Sequence, residues 1–97
     1  MKQPPSKPLF SLGQIVQTQG VAQALNPLVV MGALVRHQRG DWGEVCAEDK
    51  SANNAALSVG RESRILSAYT CKETNQKFWI ITEWDRSLTT VLFPSEY

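Results

Sequence analysis

The stretch that decides the fold is residues 64–93, which read RILSAYTCKETNQKFWIITEWDRSLTTVLF. Its β-branched and aromatic residues gather in three runs, 64–70, 78–82 and 89–93, separated by polar segments. Such runs predict short strands. Because the connections between them are short, we expect the strands to pair antiparallel, as a meander. Alternation along the first run puts Ile65, Ser67 and Tyr69 on the face opposite Arg64.

The chain before this stretch is predicted to be mainly helical. Asn26-Pro27 marks a helix start, with Asn26 as N-cap and Pro27 in the first turn. Four apolar residues recur at helical spacing as far as Gln38, and they predict one apolar face that packs on the sheet: Leu28, Met31, Leu34 and Val35. Gly40 is expected to stop this helix.

Shorter elements complete the plan. Helices are expected at residues 21–25 and from about Cys46 to Val59, the latter with a small-residue face that ends at Val59. Residues 12–18 favour a strand, with a helix as the alternative. The fold class is therefore α+β, with two or three N-terminal helices packed on an antiparallel sheet of three or four strands as a two-layer sandwich.

Length and composition limit the classes of protein. The 97 residues suit one domain, 10–97, after a flexible tail at residues 1–9 that carries three prolines. A net charge of +1 does not favour nucleic acid, which stays possible through a local basic patch, and it gives no attraction to a membrane. No apolar run approaches the roughly 18 residues of a membrane span, so we expect a soluble cytoplasmic protein.

The two cysteines, Cys46 and Cys71, fit no metal-binding spacing, and the chain has one histidine. We therefore expect free thiols in a reducing compartment, no metal site and no cofactor.

The one histidine, His37, is the first candidate catalytic group, as a general acid or base. Helix capping is the alternative and is favoured, since no nucleophile lies near it in sequence. A sheet face that carries Arg64 or Ser67, with a threonine of the last strand (Thr89 or Thr90), could offer a phosphate group a guanidinium and hydroxyls. An ordinary sheet face, with Arg64 paired to Glu83 or Asp85, is the plainer interpretation.

Two connectors carry the candidate binding residues. The first is the Gly40–Gly43 turn with its neighbour, which offers Arg36, Asp41 and Trp42, although packing of Trp42 in the core is the favoured interpretation. The second connects the last two strands and offers Trp84, Asp85 and Arg86, as a contact surface or as a polar hairpin whose tryptophan folds back.

Blocks across residues 12–97 form a set that resembles a group of small uncharacterised bacterial proteins carried on plasmids, integrons and other mobile elements. The blocks are RH (36–37), GDWG (40–43), EDK (48–50), NN (53–54), AL (56–57), LSAY (66–69), WIITE (79–83), DRS (85–87), TTVL (89–92) and PSEY (94–97). The resemblance implies an accessory role in a bacterial cytoplasm and implies no activity. A more distant likeness to barnase/RelE-like ribonucleases, which also place helices before a sheet, would assign a site to His37, Arg64 and Thr89 or Thr90.

The leading hypothesis is a non-enzymatic binding or regulatory module whose partner is a protein. The alternative is a small metal-independent ribonuclease or toxin with His37, Arg64 and Thr89 in its site. A homodimer joined by sheet edges is a third possibility.

Overall fold

The computed structural model describes residues 7–97 and confirms the α+β architecture. The elements follow the order β1 (Gln14–Gln17), α1 (Gln19–Ala24), α2 (Pro27–Gln38), α3 (Ala47–Ala56), β2 (Ile65–Cys71), β3 (Gln76–Thr82) and β4 (Leu88–Leu92), with a terminal 3-10 turn at Pro94–Glu96. The predicted flexible tail, residues 1–9, lies mostly outside the described residues. Its last member, Leu9, donates its backbone N–H to the Gln38 carbonyl at 2.8 Å.

The four strands form one sheet in the order β1-β4-β3-β2. Strands β2, β3 and β4 pair antiparallel, as predicted from their short connections. Strand β1 pairs parallel to β4, so the sheet is mixed and the antiparallel prediction holds for three strands of the four. The chain between β1 and β4 contains three helices and two strands, and it provides the long connection that a parallel pair requires.

Helix α2 has the predicted bounds but buries a different face. Asn26 caps it, its side-chain oxygen accepting the Leu28 N–H at 2.9 Å, and Gly40 follows its end at φ +85°. Of the four predicted inward residues, Leu34 packs against the apolar core, whereas Leu28, Met31 and Val35 are 73%, 61% and 45% exposed. Val30, Ala33 and His37 are buried instead. Apolar residues surround most of this helix, so periodicity alone does not select the face, and the contacts of His37 select it.

Helix α3 is shorter than predicted. It ends at Ala56 rather than near Val59, and Val59 is 96% exposed instead of packing on the sheet. Its buried residues are Asn53 and Ala56. Gly60, at φ +84°, completes the turn that leads into β2.

The core lies between the helices and one face of the sheet. Alternation along β2 is as predicted, because Ile65, Ser67 and Tyr69 are all buried against the helical layer. The main apolar cluster contains Val21, Leu25, Val30, Ala33, Tyr69, Cys71, Phe78, Ile80 and Val91. A second cluster of Trp42, Ala56 and Ile65 joins α3 to the sheet.

The outer edge of β2 is occupied by hydrogen-bond partners. Ala68 donates its N–H to the Trp42 carbonyl at 3.1 Å and accepts the Glu44 N–H at 2.7 Å, so that Gly43 forms a bridge beside it. The Asn53 side chain accepts the Leu66 N–H at 3.1 Å and donates to the Leu66 carbonyl at 2.7 Å. This edge therefore offers little backbone for a further strand.

Replacement of Gly43 tests that bridge. Gly43 has φ +73°, and a Cβ built on it would lie 2.0 Å from the Ala68 carbonyl oxygen, which is backbone and cannot move aside. We expect Gly43→Ala to lower the free energy of unfolding by more than about 3 kcal/mol in urea denaturation.

The matched control is Gly60→Ala, at φ +84° with nothing within 4 Å of the added methyl. Its cost is limited to the left-handed backbone, about 1–2 kcal/mol. Equal losses in both variants would contradict the importance of the bridge.

Candidate functional site

His37 lies at the centre of a buried chain of hydrogen bonds. Its Nδ1 is 2.5 Å from Ser67 Oγ on β2, and its Nε2 is 2.9 Å from Thr82 Oγ1 on β3. Thr82 Oγ1 is in turn 2.7 Å from Thr89 Oγ1 on β4. The Thr89 hydroxyl donates to the Leu12 carbonyl, just before β1, at 2.7 Å. All four side chains have zero exposure.

The last acceptor fixes the direction of the whole chain. A carbonyl oxygen only accepts, so Thr89 donates to Leu12, and the Thr82 hydroxyl must then donate to Thr89. His37 therefore donates from Nε2–H to Thr82. Because burial keeps the ring unprotonated, Nδ1 carries no proton and accepts the Ser67 hydroxyl proton. This is a neutral imidazole with both nitrogens satisfied, and no described buried side-chain polar atom lacks a partner.

Aromatic rings close the remaining sides of the imidazole. The Phe10 ring meets it edge-on with 5.2 Å between centroids, and Trp42 does so at 5.9 Å. Burial, with a smaller effect from the Arg86 charge, lowers the pKa of His37 to about 3. A base that cannot reach solvent and stays neutral across the ordinary pH range is poorly suited to proton transfer with a bound substrate.

The three predicted catalytic candidates do not converge. His37 and Thr89 belong to the buried chain, with Thr82 between them. Arg64 is exposed on the opposite face of the sheet, its guanidinium 6.0 Å from the centre of the Tyr97 ring. The capping interpretation of His37 is not supported either, because its ring bonds to strand hydroxyls instead of helix carbonyls.

The Gly40–Gly43 turn packs against the core. The Trp42 side chain is 3% exposed, and its indole N–H donates to Asn54 Oδ1 at 3.0 Å, so the packing interpretation fits. Arg36 binds Asp41 through two nitrogens, at 2.7 and 3.3 Å, and lies 4.6 Å over the Tyr69 ring. The hydrogen bond from Arg36 lowers the pKa of Asp41. The ion pair between Arg36 and Asp41 therefore stabilises the turn.

The Glu83–Ser87 loop, which connects β3 to β4, is the predicted contact segment that remains exposed. Trp84 is 63% exposed, although other residues of this loop are held by hydrogen bonds. Arg86, at φ +62°, donates to the carbonyls of Ser63, Glu83 and Ala56 at 2.7, 3.0 and 2.8 Å. Asp85 Oδ1 accepts both the N–H and the hydroxyl of Ser87.

The outer face of the sheet, opposite the helices, carries a shallow cavity of about 190 Å³ at its Arg64 end. It is lined by Arg64, Ile81, Glu83, Thr90, Leu92 and Tyr97. Thr90, and not Thr89, is the threonine that shares this face with Arg64.

Sequence reasoning missed Thr82 and Asn53, which are both buried and fully bonded. A signal for the first was present, since Ser67, Thr82 and Thr89 each occupy an inward position of a strand next to apolar neighbours. Polar residues at such positions indicate a shared buried partner. Asn53 gave no comparable signal, because asparagine in a polar helix is ordinarily exposed.

No protein family, curated protein or solved structure matches this chain. Among residues 7–97, no helix has the length and apolar character to cross a membrane, and no group of three His, Cys, Asp or Glu is placed to share a metal ion. Within the same range both cysteines are free thiols, Cys46 exposed and Cys71 buried.

The contribution of the Thr89 hydroxyl to stability can be measured by comparison with Thr90, the next residue of β4. Thr89→Val would leave the Leu12 carbonyl without a donor and the Thr82 hydroxyl without an acceptor, so we expect a loss of about 2–4 kcal/mol in the free energy of unfolding. Thr90→Val, one residue along β4 on the half-exposed outer face, should stay within about 0.5 kcal/mol. Similar losses in the two variants would contradict the role of the chain.

Because His37 is buried in its neutral form, we also expect the stability of the fold to depend on pH. The pKa of His37 is about 3 when folded and 6.5 in the unfolded reference, so as pH falls below 6.5 the unfolded chain binds a proton that the folded chain does not. Stability should therefore fall by up to about 1.4 kcal/mol per pH unit below pH 6.5. Three carboxyl groups also have a lowered pKa, those of Asp41, Glu62 and Asp85. Their ordinary pKa values are 3.8–4.5, so their protonation changes the stability only at lower pH.

Denaturation between about pH 7.5 and 5 measures this slope, and His37→Gln should remove it. If that variant does not fold, NMR of the wild type is sufficient, because His37 is the one histidine of the chain. Ring signals that titrate near pH 6.5 would contradict the buried neutral state.

Proposed function

We propose that this chain is a non-enzymatic protein-binding module, an accessory protein of a bacterial mobile element, and that Trp84 is its main contact. The observation that carries the proposal is an indole 63% exposed on a loop that is held by hydrogen bonds of Arg86 and Asp85. Tryptophan is enriched among the residues that contribute most to protein interfaces. The resemblance to proteins of plasmids and integrons supports the biological setting.

The Arg86 contacts explain why the loop suits binding. Its guanidinium joins three segments of the chain through carbonyls of Ser63, Glu83 and Ala56, so the backbone on either side of Trp84 has little freedom to lose. A preformed contact loses less conformational entropy on association than a mobile one. Burial lowers the pKa of Arg86, and its charge is directed inward rather than toward a partner.

The groups around the indole indicate the chemistry of the partner. The two residues that flank Trp84, Glu83 and Asp85, are both exposed and acidic. A complementary site is an apolar pocket bordered by lysine or arginine, where a cation can lie over the indole face and pair with the carboxylates. The Gly40–Gly43 turn adds less, because Trp42 is buried and Asp41 is already paired with Arg36.

The ribonuclease-like alternative has weaker support. Two of its three proposed groups, His37 and Thr89, are buried and joined only through Thr82, and the third, Arg64, faces the other side of the sheet. A phosphate in contact with Arg64 would be separated from the imidazole by the sheet itself.

Trp84→Ala tests the binding role. Quantitative affinity capture from the bacterial host should recover partners with the wild type and lose them with this variant, with a fall in affinity of about 30-fold or more. Val59→Ala is the control, since Val59 is 96% exposed and apolar but lies outside the loop. Both variants should keep the wild-type melting temperature.

Two outcomes would contradict the proposal. One is a folded Trp84→Ala variant that retains every partner. The other is growth arrest with RNA cleavage on expression, relieved by Arg64→Ala, because Arg64 is exposed and its loss should leave the fold intact.

A further inference from the structure

A long stretch of the N-terminal part of the chain, which begins after Lys7, has no ionisable side chain. Residues 9–35 include no Asp, Glu, Lys, Arg or His, although 20% of the whole chain is charged. The segment forms β1, α1 and most of α2. Since charged residues are depleted at the centres of protein interfaces, the part of this segment that reaches the surface is a candidate interface.

The exposed side of α2 is apolar from Leu28 to Val35, and the exposed Arg36 that follows is paired with Asp41. Leu28, Met31 and Val35 are 73%, 61% and 45% exposed, and their spacing of three and four residues places them on one stripe. Gly32 lies within the stripe, and a methyl added to it would meet nothing within 4 Å, so another helix can approach closely there.

Strand β1 extends this surface. Ile15 is 49% exposed, and an apolar cavity of about 270 Å³ runs between β1 and α2, lined by Ile15, Val16, Gln17, Pro27, Val30, Met31 and Val91. We name the surface formed by Ile15, Gln17, Leu28, Met31 and Val35 the β1–α2 face.

The backbone of β1 has a free edge. Gln14 and Thr18 donate their N–H groups to the Ser87 and Val91 carbonyls of the β4 segment, each at 3.0 Å. In a parallel strand, the N–H and carbonyl of one residue point to one edge, and those of the next residue point to the other edge. Since Gln14 and Thr18 face β4, the N–H and carbonyl groups of Ile15 and Gln17 point away from it. No partner for them exists among residues 7–97. The other edge of the sheet, at β2, is occupied by Asn53 and by the Gly43 bridge.

We propose that the β1–α2 face binds a second copy of this chain about a two-fold axis. Strand β1 of one protomer pairs antiparallel with β1 of its partner, and Val16 lies at the axis. Ile15 of each copy is then opposite Gln17 of the other, and their outward N–H and carbonyl groups form four hydrogen bonds. The stripes on the two α2 helices meet over this junction, and the sheet continues across both copies.

Charge selects a second copy over other occupants. A partner with charged groups on its contact surface would have to strip them of water against a face that offers no counter-charge. A second copy presents the same uncharged surface and the same free edge, which is the self-complementarity that a two-fold interface requires. Exposed β1, Gln14–Gln17, also lacks the lysine, proline or bulge that normally protects an edge strand.

The area sets the expected affinity. The four residues of β1 extend over about 13 Å, and the helical stripe from Leu28 to Val35 over about 10 Å. Two layers of that width bury several hundred Å² on each protomer, which is the low end for a specific interface. We therefore expect a dimer that dissociates at micromolar concentration.

Sedimentation equilibrium over a range of about 1 to 500 μM tests this directly. The wild-type mass should rise from 10.8 kDa toward twice that value. Ile15→Lys and Met31→Lys, on separate elements, should each weaken the dimer at least 10-fold. The control is Val59→Lys, which adds the same charge at a 96% exposed apolar site outside the face and should leave the dimer unchanged.

Hydrogen exchange on the wild-type protein tests the register without relying on variants. The amides of Ile15 and Gln17 should gain protection as concentration rises, while those of Leu66 and Ala68, already bonded, should not change. A chain that stays monomeric throughout overturns the proposal, as does a dimer that both lysine variants leave intact. A monomer that binds phosphatidylcholine vesicles also overturns it and assigns the face to lipid.

Discussion

The His37 imidazole determines how the two layers of this protein fit together. Through Ser67, Thr82 and Thr89 it reaches β2, β3 and β4, and the Leu12 carbonyl extends the connection to the start of β1. Apolar contacts tolerate small rotations and slides, but a directed chain of hydrogen bonds in a dry interior does not. The ring therefore selects one rotation of α2 and one position of that helix over the sheet.

Much of the reactive chemistry of the chain serves this structural purpose. The histidine is satisfied on both nitrogens, Arg36 and Asp41 pair with each other, and Arg86 binds three backbone carbonyls. Outside these contacts, the two distinctive features of the surface are the exposed indole of Trp84 and the uncharged β1–α2 face. Both features are the basis of the proposed association with other proteins.

The amount that could be predicted depends on the range of the interactions involved. The bounds of α2 were predictable because its capping residues are adjacent in sequence, and the three C-terminal strands because their composition is local. The inward face of α2 was not, because Leu28 and Met31 are as apolar as Val30, and the choice depends on hydroxyls distant in sequence. The parallel pairing of β1 with β4 could not be predicted for the same reason. The sequence of the Glu83–Ser87 loop favours neither exposure nor burial of Trp84.

The sheet order has a consequence for biosynthesis. The last strand to be made, β4, lies in the interior of the sheet between β1 and β3, and β1 meets it in the register Gln14 with Leu88. Strand β1, which lies in the uncharged stretch 9–35, therefore leaves the ribosome well before the strand with which it pairs. Apolar surface and a strand edge that are exposed during synthesis are prone to aggregate.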